Sequence, residues 1–81
     1  MYYFKMDKVT MKKVPILLGQ AIIKRRIQLN ISQELLAEKA DIHRTHVSRV
    51  ELGKRNSTII SVYKLAKALN TSVSHLCKDI K

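Results

Sequence analysis

The sequence has little of what builds turn-rich, disulfide-linked or aromatic-rich proteins. Its 81 residues include two glycines, one proline, one cysteine and no tryptophan. So few turn-forming residues argue against a β fold and favour a helical one. The lone cysteine, Cys77, cannot form an internal disulfide, so we expect a cytoplasmic protein.

The sequence also lacks an apolar run long enough to cross a membrane. Its longest apolar region, residues 14–23, contains a proline and a glycine. It is well short of the roughly 20 residues that a spanning helix needs. It ends in the basic tripeptide 24–26 rather than at a small-residue cleavage site, so we expect neither export nor a membrane partner.

Acidic residues are scarce as well. Sixteen Lys and Arg face six Asp and Glu, which gives a net charge of +10. Solubility alone is one explanation of such a charge. Its concentration on one helix and the following loop, residues 44–56, favours a nucleic-acid partner instead.

The apolar spacing predicts an all-α domain. Residues 1–14 show no clear helical stripe and are predicted to be an N-terminal arm, while residues 15–81 form the domain. A first helix is expected from Pro15 to about Leu29. Its inner stripe is predicted to contain Leu18, Ile22 and Leu29. Arg26 lies on the same stripe and therefore needs a partner.

Four more helices are predicted from caps and apolar spacing. The expected N-caps are Ser32, Thr58 and Ser72, and Gly53 is expected to follow the end of the third helix. The predicted inner residues are Leu35 or Leu36, Ala37 and Ala40 in helix two; Val47 and Val50 in helix three; Ile59, Val62, Leu65, Ala66 and Leu69 in helix four; and Val73 and Leu76 in helix five.

The third helix has an outer face with an unusual composition. Opposite its two valines it carries Arg44, Thr45, Ser48 and Arg49. A tight turn, Asp41-Ile42, joins it to the second helix. A helix with few apolar anchors and a basic outer face is suited to present that face to a partner.

Residues 33–56 resemble the helix-turn-helix of the Cro/C1 (Xre) family, which includes lambdoid phage repressors and restriction-modification controller proteins. Ala37 occupies the family's small-residue position, Asp41 the turn, and Ile42, Val47 and Val50 the buried positions. Residues 24–29 and 66–73 also match, so the resemblance covers about residues 16–77. Segment 44–56 looks most like the controller proteins.

The sequence departs from the family at four positions. Asn30, Asp41 and Asn70 stand where the family usually has glycine, and both residue types tolerate a positive φ. His43 stands where a Ser, Thr or Asp cap is usual, which weakens the expected cap.

The resemblance implies a five-helix, lambda-repressor-like fold and a regulator without catalytic activity or cofactor. It implies a homodimer that binds a near-palindromic double-stranded DNA operator, most like a controller protein. A phage-type repressor, and an antitoxin or other protein-interaction module, remain alternatives. The chain has no room for a ligand-sensing domain, so no small-molecule effector is expected.

The outer face of the third helix is expected to contact DNA bases. The base-reading candidates are Arg44 and Arg49, with Thr45, Ser48 and His46 secondary. Four residues are expected to contact phosphates: Gln33, Lys54, Arg55 and Asn56.

Two further sets of residues are expected to support the domain. In the family, an arginine of the first helix pairs with the glutamate that closes the third, which implies an Arg26–Glu51 ion pair. A dimer surface is expected near the fifth helix, with candidates Val73, His75, Leu76 and Ile80 and contributions from Ile60 and Tyr63. No metal site is expected, because His43, His46 and Cys77 lack the spacing of zinc ligands.

Overall fold

A computed structural model describes the backbone of residues 8–80 and the side chains of residues 12–80. Five α-helices and no strand lie in this range: α1 Lys8–Gln28, α2 Gln33–Ala40, α3 Arg44–Glu51, α4 Ile59–Ala68 and α5 Val73–Leu76. The predicted all-α, five-helix architecture is confirmed. In this same range no helix is both long enough and apolar enough to cross a bilayer.

The first helix starts earlier than predicted. It begins at Lys8, and Pro15 lies inside it rather than at its first turn. A proline inside a helix loses one backbone hydrogen bond and crowds the preceding turn, so it usually ends or kinks a helix, but α1 continues through Pro15. Residues 8–14 of the predicted arm therefore belong to α1, while residues 1–7 lie outside the described part.

The predicted caps are confirmed at the helix N-termini. The hydroxyls of Ser32, Thr58 and Ser72 each accept a hydrogen bond from a backbone N–H of the following helix, at 3.0–3.1 Å. His43 also caps its helix, since its Nδ1 accepts from the N–H of Thr45 at 3.2 Å. An imidazole nitrogen thus replaces the usual hydroxyl or carboxylate.

The first four helices end in one recurring backbone pattern. Residues 30, 41, 53 and 70 have positive φ, and three of them are Asn or Asp rather than glycine. In each case the N–H of the following residue donates to the carbonyl five residues before it, as from Ile42 to Ala37 at 3.1 Å. This hydrogen bond is characteristic of the Schellman motif. The prediction that Asn and Asp replace glycine in a left-handed conformation is confirmed.

The core lies where all five helices meet. Its buried apolar residues are Leu18, Ile22, Leu36, Ala37, Ala40, Val47, Val50, Val62, Leu65, Ala66, Leu69 and Leu76. In helix two Leu36 is buried and Leu35 exposed, which decides between the two. The prediction that Ile59 is buried is wrong: it is exposed, because α4 begins there and first packs on the core at Val62.

A close helix contact joins α1 to the end of α3. A Cβ atom on Gly19 would lie 2.5 Å from the carbonyl oxygen of Val50 and 2.6 Å from that of Glu51. Real Cβ atoms do not approach backbone that closely, so only glycine fits. Gly19 thus fixes where α3 lies on α1, a role that the sequence did not reveal.

Candidate nucleic-acid interface

The interface is built on two short helices with a buried seam. α2 and α3 have eight residues each and are joined by residues 41–43. Val47 and Val50 of α3 are fully buried beside Leu36 and Ala37 of α2. With so few apolar residues committed inward, most of α3 is left for contacts outside the domain.

The outer face of α3 carries the polar and basic side chains expected there. Arg44, Thr45 and Arg49 are exposed, and Ser48 is half-buried. Arg49 forms no salt bridge with any described side chain. The face therefore offers donors and positive charge to solvent.

His46 lies differently from the rest of the predicted base-reading set. It is half-buried, and its Nε2 atom is buried without a hydrogen-bond partner among the described residues. Burial lowers the pKa of His46, and the positive charge of Arg55 lowers it further. Because His46 precedes Val50 by four residues, it shares the inner side of the helix. Its Nε2 is therefore not on the surface that base edges would contact.

The loop after α3 supplies three exposed polar or basic side chains. Lys54, Arg55 and Asn56 all face solvent between α3 and α4. Neither basic side chain forms a salt bridge within residues 12–80. The backbone N–H of Lys54 donates to the carbonyl of Arg49 at 3.0 Å, which holds the start of this loop at the end of α3.

Gln33, a predicted phosphate ligand, is partly occupied within the protein. Its Nε2 donates to Oε1 of Glu51 at 2.9 Å. An amide nitrogen carries two hydrogens, so one donor remains, together with backbone N–H groups of the first turn of α2. The structure thus gives Gln33 a structural contact that the sequence did not predict.

Arg26 and Glu51 lie together in a nearly buried pair. Nε of Arg26 donates to Oε2 of Glu51 at 2.7 Å, and Nη2 donates to Oε1 at 3.1 Å. Nη1 of Arg26 donates to the carbonyl of Ile31 at 3.1 Å. The Glu51 side chain is only 3% exposed. Hydrogen bonding to Glu51 raises the pKa of Arg26.

This pair joins three helices at one carboxylate. Arg26 belongs to α1, Gln33 to α2, and Glu51 is the last residue of α3. Two Arg26 donors and one Gln33 donor together saturate much of a buried carboxylate. The C-terminal end of α3 is therefore held from both neighbouring helices.

A second ion pair crosses from α2 to α3 at the opposite end of α3. Nε of Arg44 donates to Oε1 of Glu34 at 2.5 Å, with the side chains 61% and 64% exposed. The sequence analysis did not single out Glu34. An acidic residue at the start of α2 and a basic one at the start of α3, across a tight turn, is the pattern that indicates it.

The predicted dimer candidates differ in accessibility. Leu76 is buried in the core, so its side chain cannot offer an exposed contact. Val73 and Ile80 are half-buried against the core, and His75 is exposed. Exposed apolar side chains also lie on α4, where Ile59, Ile60 and Tyr63 are 69%, 66% and 56% exposed. These three residues are called the α4 patch below.

No group of three His, Cys, Asp or Glu side chains within residues 12–80 is arranged to hold a metal ion. His43 instead caps α3.

Sequence comparison places this geometry in a known family. The helix-turn-helix pattern (HTH_3) matches residues 22–76, which include both ion pairs and all of α2 to α5. The chain belongs to the Cro/C1-type helix-turn-helix family. Within this family the chain is similar to control proteins.

The control protein C.SmaI of Serratia marcescens is 53% identical over 47 residues, which span 58% of this chain and 56% of C.SmaI. The control protein C.BamHI of Bacillus amyloliquefaciens is 39% identical over 66 residues, spanning 78% of this chain and 79% of C.BamHI. The restriction-modification controller protein C.AhdI of Aeromonas hydrophila superposes with a TM-score of 0.75 at 34% identity. That superposition covers 76% of this chain and 94% of C.AhdI.

Proposed function

We propose that this member of the helix-turn-helix family is a sequence-specific double-stranded DNA-binding transcription regulator that acts as a restriction-modification controller protein. One observation carries the DNA-binding part: α3 is held from inside while Arg44, Thr45 and Arg49 remain exposed on its outer face. The similarity to C.SmaI, C.BamHI and C.AhdI supports the controller role. Its site of action is the cytoplasm, where the DNA lies.

The contacts divide into two classes. Arg44 and Arg49 read base edges in the major groove, with Thr45 and Ser48 beside them. Lys54, Arg55 and Asn56 bind phosphates and set the register without reading sequence. The remaining donors of Gln33, at the N-terminus of α2, bind a phosphate on the other side of the groove.

A single helix-turn-helix covers one half-site, so the regulator acts as a two-fold dimer on a near-palindromic operator. We place the dimer contact on the α4 patch, because Ile59, Ile60 and Tyr63 expose apolar surface that a second copy would cover. Tyr63→Glu should then shift the protein from dimer to monomer in sedimentation equilibrium, while Lys64→Glu, an exposed neighbour, should not.

The DNA-binding proposal is tested by selecting bound sequences from random double-stranded DNA at a stated salt concentration. A two-fold motif is expected, with affinity that falls steeply as salt rises. Arg44→Ala should relax preference at one base pair per half-site, worth about 1–3 kcal/mol for a bidentate contact. Lys54→Ala should weaken all sites alike.

Two outcomes would contradict the proposal. Selection that enriches no sequence would remove the regulator function. Equal losses on operator and random DNA for Arg44→Ala would remove the base-reading role of that residue while leaving DNA binding itself intact.

A further inference from the structure

The Glu34–Arg44 ion pair uses the guanidinium in a way that leaves its far end available. Only Nε of Arg44 is bonded, to Oε1 of Glu34. Within the part of the chain that the structure describes, Nη1 and Nη2 have no hydrogen-bond partner. The carboxylate therefore fixes the side of the fork nearest the backbone.

Those two terminal nitrogens are the ones that an end-on contact to guanine requires. Guanine presents O6 and N7 as neighbouring acceptors in the major groove, and an arginine fork meets them with two parallel hydrogen bonds. An arginine held at Nε can still make both bonds.

The two elements that carry the pair are themselves rigid. Glu34 lies in the first turn of α2, which Ser32 caps, and Arg44 begins α3, which His43 caps. The turn between them is closed by the hydrogen bond from Ile42 to Ala37. The backbones of Glu34 and Arg44 are thus fixed relative to each other.

We propose that Glu34 is a positioning residue that orients Arg44 for base reading, so that it contributes to sequence specificity without contacting the base itself. This inference rests on the proposed DNA-binding function. A free arginine samples many rotamers and loses conformational entropy when it is ordered on binding. Glu34 reduces that cost when Arg44 enters the groove, where exclusion of water strengthens the pair.

The opposite effect of Glu34 must be separated from this one. A carboxylate near DNA repels phosphates, so its removal raises affinity for every sequence. Absolute affinity therefore cannot test the proposal. The informative quantity is the ratio of affinity for the selected operator to affinity for the same operator changed at the base pair that depends on Arg44.

Glu38 provides the matched control. It lies on the same helix four residues after Glu34, is exposed, and forms no salt bridge with the described side chains. Glu38→Gln and Glu34→Gln change the net charge equally. Glu34→Ala additionally removes the acceptor for Nε, which a glutamine could still provide.

Affinities are measured by fluorescence anisotropy at two salt concentrations for the wild type and for the variants Glu34→Gln, Glu34→Ala, Glu38→Gln, Arg44→Ala and Glu34→Ala/Arg44→Ala. We expect Glu38→Gln to raise affinity for all DNA and leave the ratio unchanged. Glu34→Ala should lower the ratio roughly two- to tenfold, the range set by ordering one long side chain. In the Arg44→Ala background, Glu34→Ala should have no further effect on the ratio.

Two results would overturn the inference. If Glu34→Ala leaves the ratio unchanged, as Glu38→Gln does, Glu34 acts only as a charge. If the ratio rises in Glu34→Ala, the pair competes with DNA rather than preparing for it. In both cases the proposed function stands as long as the wild type selects a motif in which one base pair depends on Arg44. A wild type that selects no motif removes the proposed function, and the inference with it.

Discussion

Removal of Arg26 should be the most damaging single change in the interface region. Glu51 would then be a carboxylate only 3% exposed, with a single remaining donor from Gln33 at 2.9 Å. Breaking a buried pair by deleting one partner costs about 3–5 kcal/mol, because an uncompensated charge stays buried. A chain of 81 residues has a total stability of roughly 4–12 kcal/mol at about 0.05–0.15 kcal/mol per residue.

The corresponding thermal shift is large enough to measure without ambiguity. In a domain of this size each kcal/mol changes the melting temperature by about 4–8 °C. Arg26→Ala should therefore lower it by at least about 12 °C, as followed by circular dichroism. The exposed Glu34–Arg44 pair is an internal control, since breaking a surface pair costs about 0–1 kcal/mol.

A double variant separates the ion pair from simple loss of packing. Arg26→Met/Glu51→Met removes both charges and should be more stable than Arg26→Met alone, because no unpaired carboxylate remains. The reasoning fails if Arg26→Ala melts at the same temperature as the wild type, or if the double variant is no more stable than Arg26→Met.

Three smaller perturbations follow from other contacts. Gly19→Ala places a Cβ against the carbonyl oxygens that close α3 and should cost about 1–3 kcal/mol in urea unfolding; the exposed neighbour Gln20→Ala should stay within about 0.5 kcal/mol. Burial lowers the pKa of His46, so the unfolded chain binds its proton first and stability falls as pH drops below about 6.5. His46→Gln should flatten that fall, and an unchanged slope between neutral and mildly acid pH would contradict it. Thr58→Ala should cost about 1 kcal/mol through loss of the α4 cap, whereas Thr58→Ser should restore most of the loss.

Local chemistry made much of the fold predictable. A hydroxyl ahead of an apolar stripe indicates a cap, and Asn or Asp at a helix end indicates a left-handed residue; both are decided within a few residues. The helix count and the core followed from the same local patterns. The start of α1 was not predictable in this way, because Pro15 carries the usual signal of a first helical turn, whereas α1 continues through it from Lys8.

Features that depend on three-dimensional approach were not recoverable from spacing. Gly19 matters only because the end of α3 lies against it, and nothing near it in sequence indicates that. Leu76 was predicted both as an inner residue and as a dimer candidate, and its burial excludes the second. The Glu34–Arg44 pair has a signal in its opposite charges, but only the angle between α2 and α3 brings the two side chains into contact. The side-chain types of the candidate site could be read from the sequence, while their contacts needed the structure.

The junction at Glu51 has a consequence for how this domain can change over evolution. Its side-chain donors are Arg26 and Gln33, and none of its atoms belongs to Arg44, Thr45 or Arg49. Substitutions on the outer face therefore leave this anchoring of the helix intact. With the base-reading role proposed for that face, new operator preferences can accumulate there at little cost in folding, so one scaffold can diversify into regulators that ignore each other's sites.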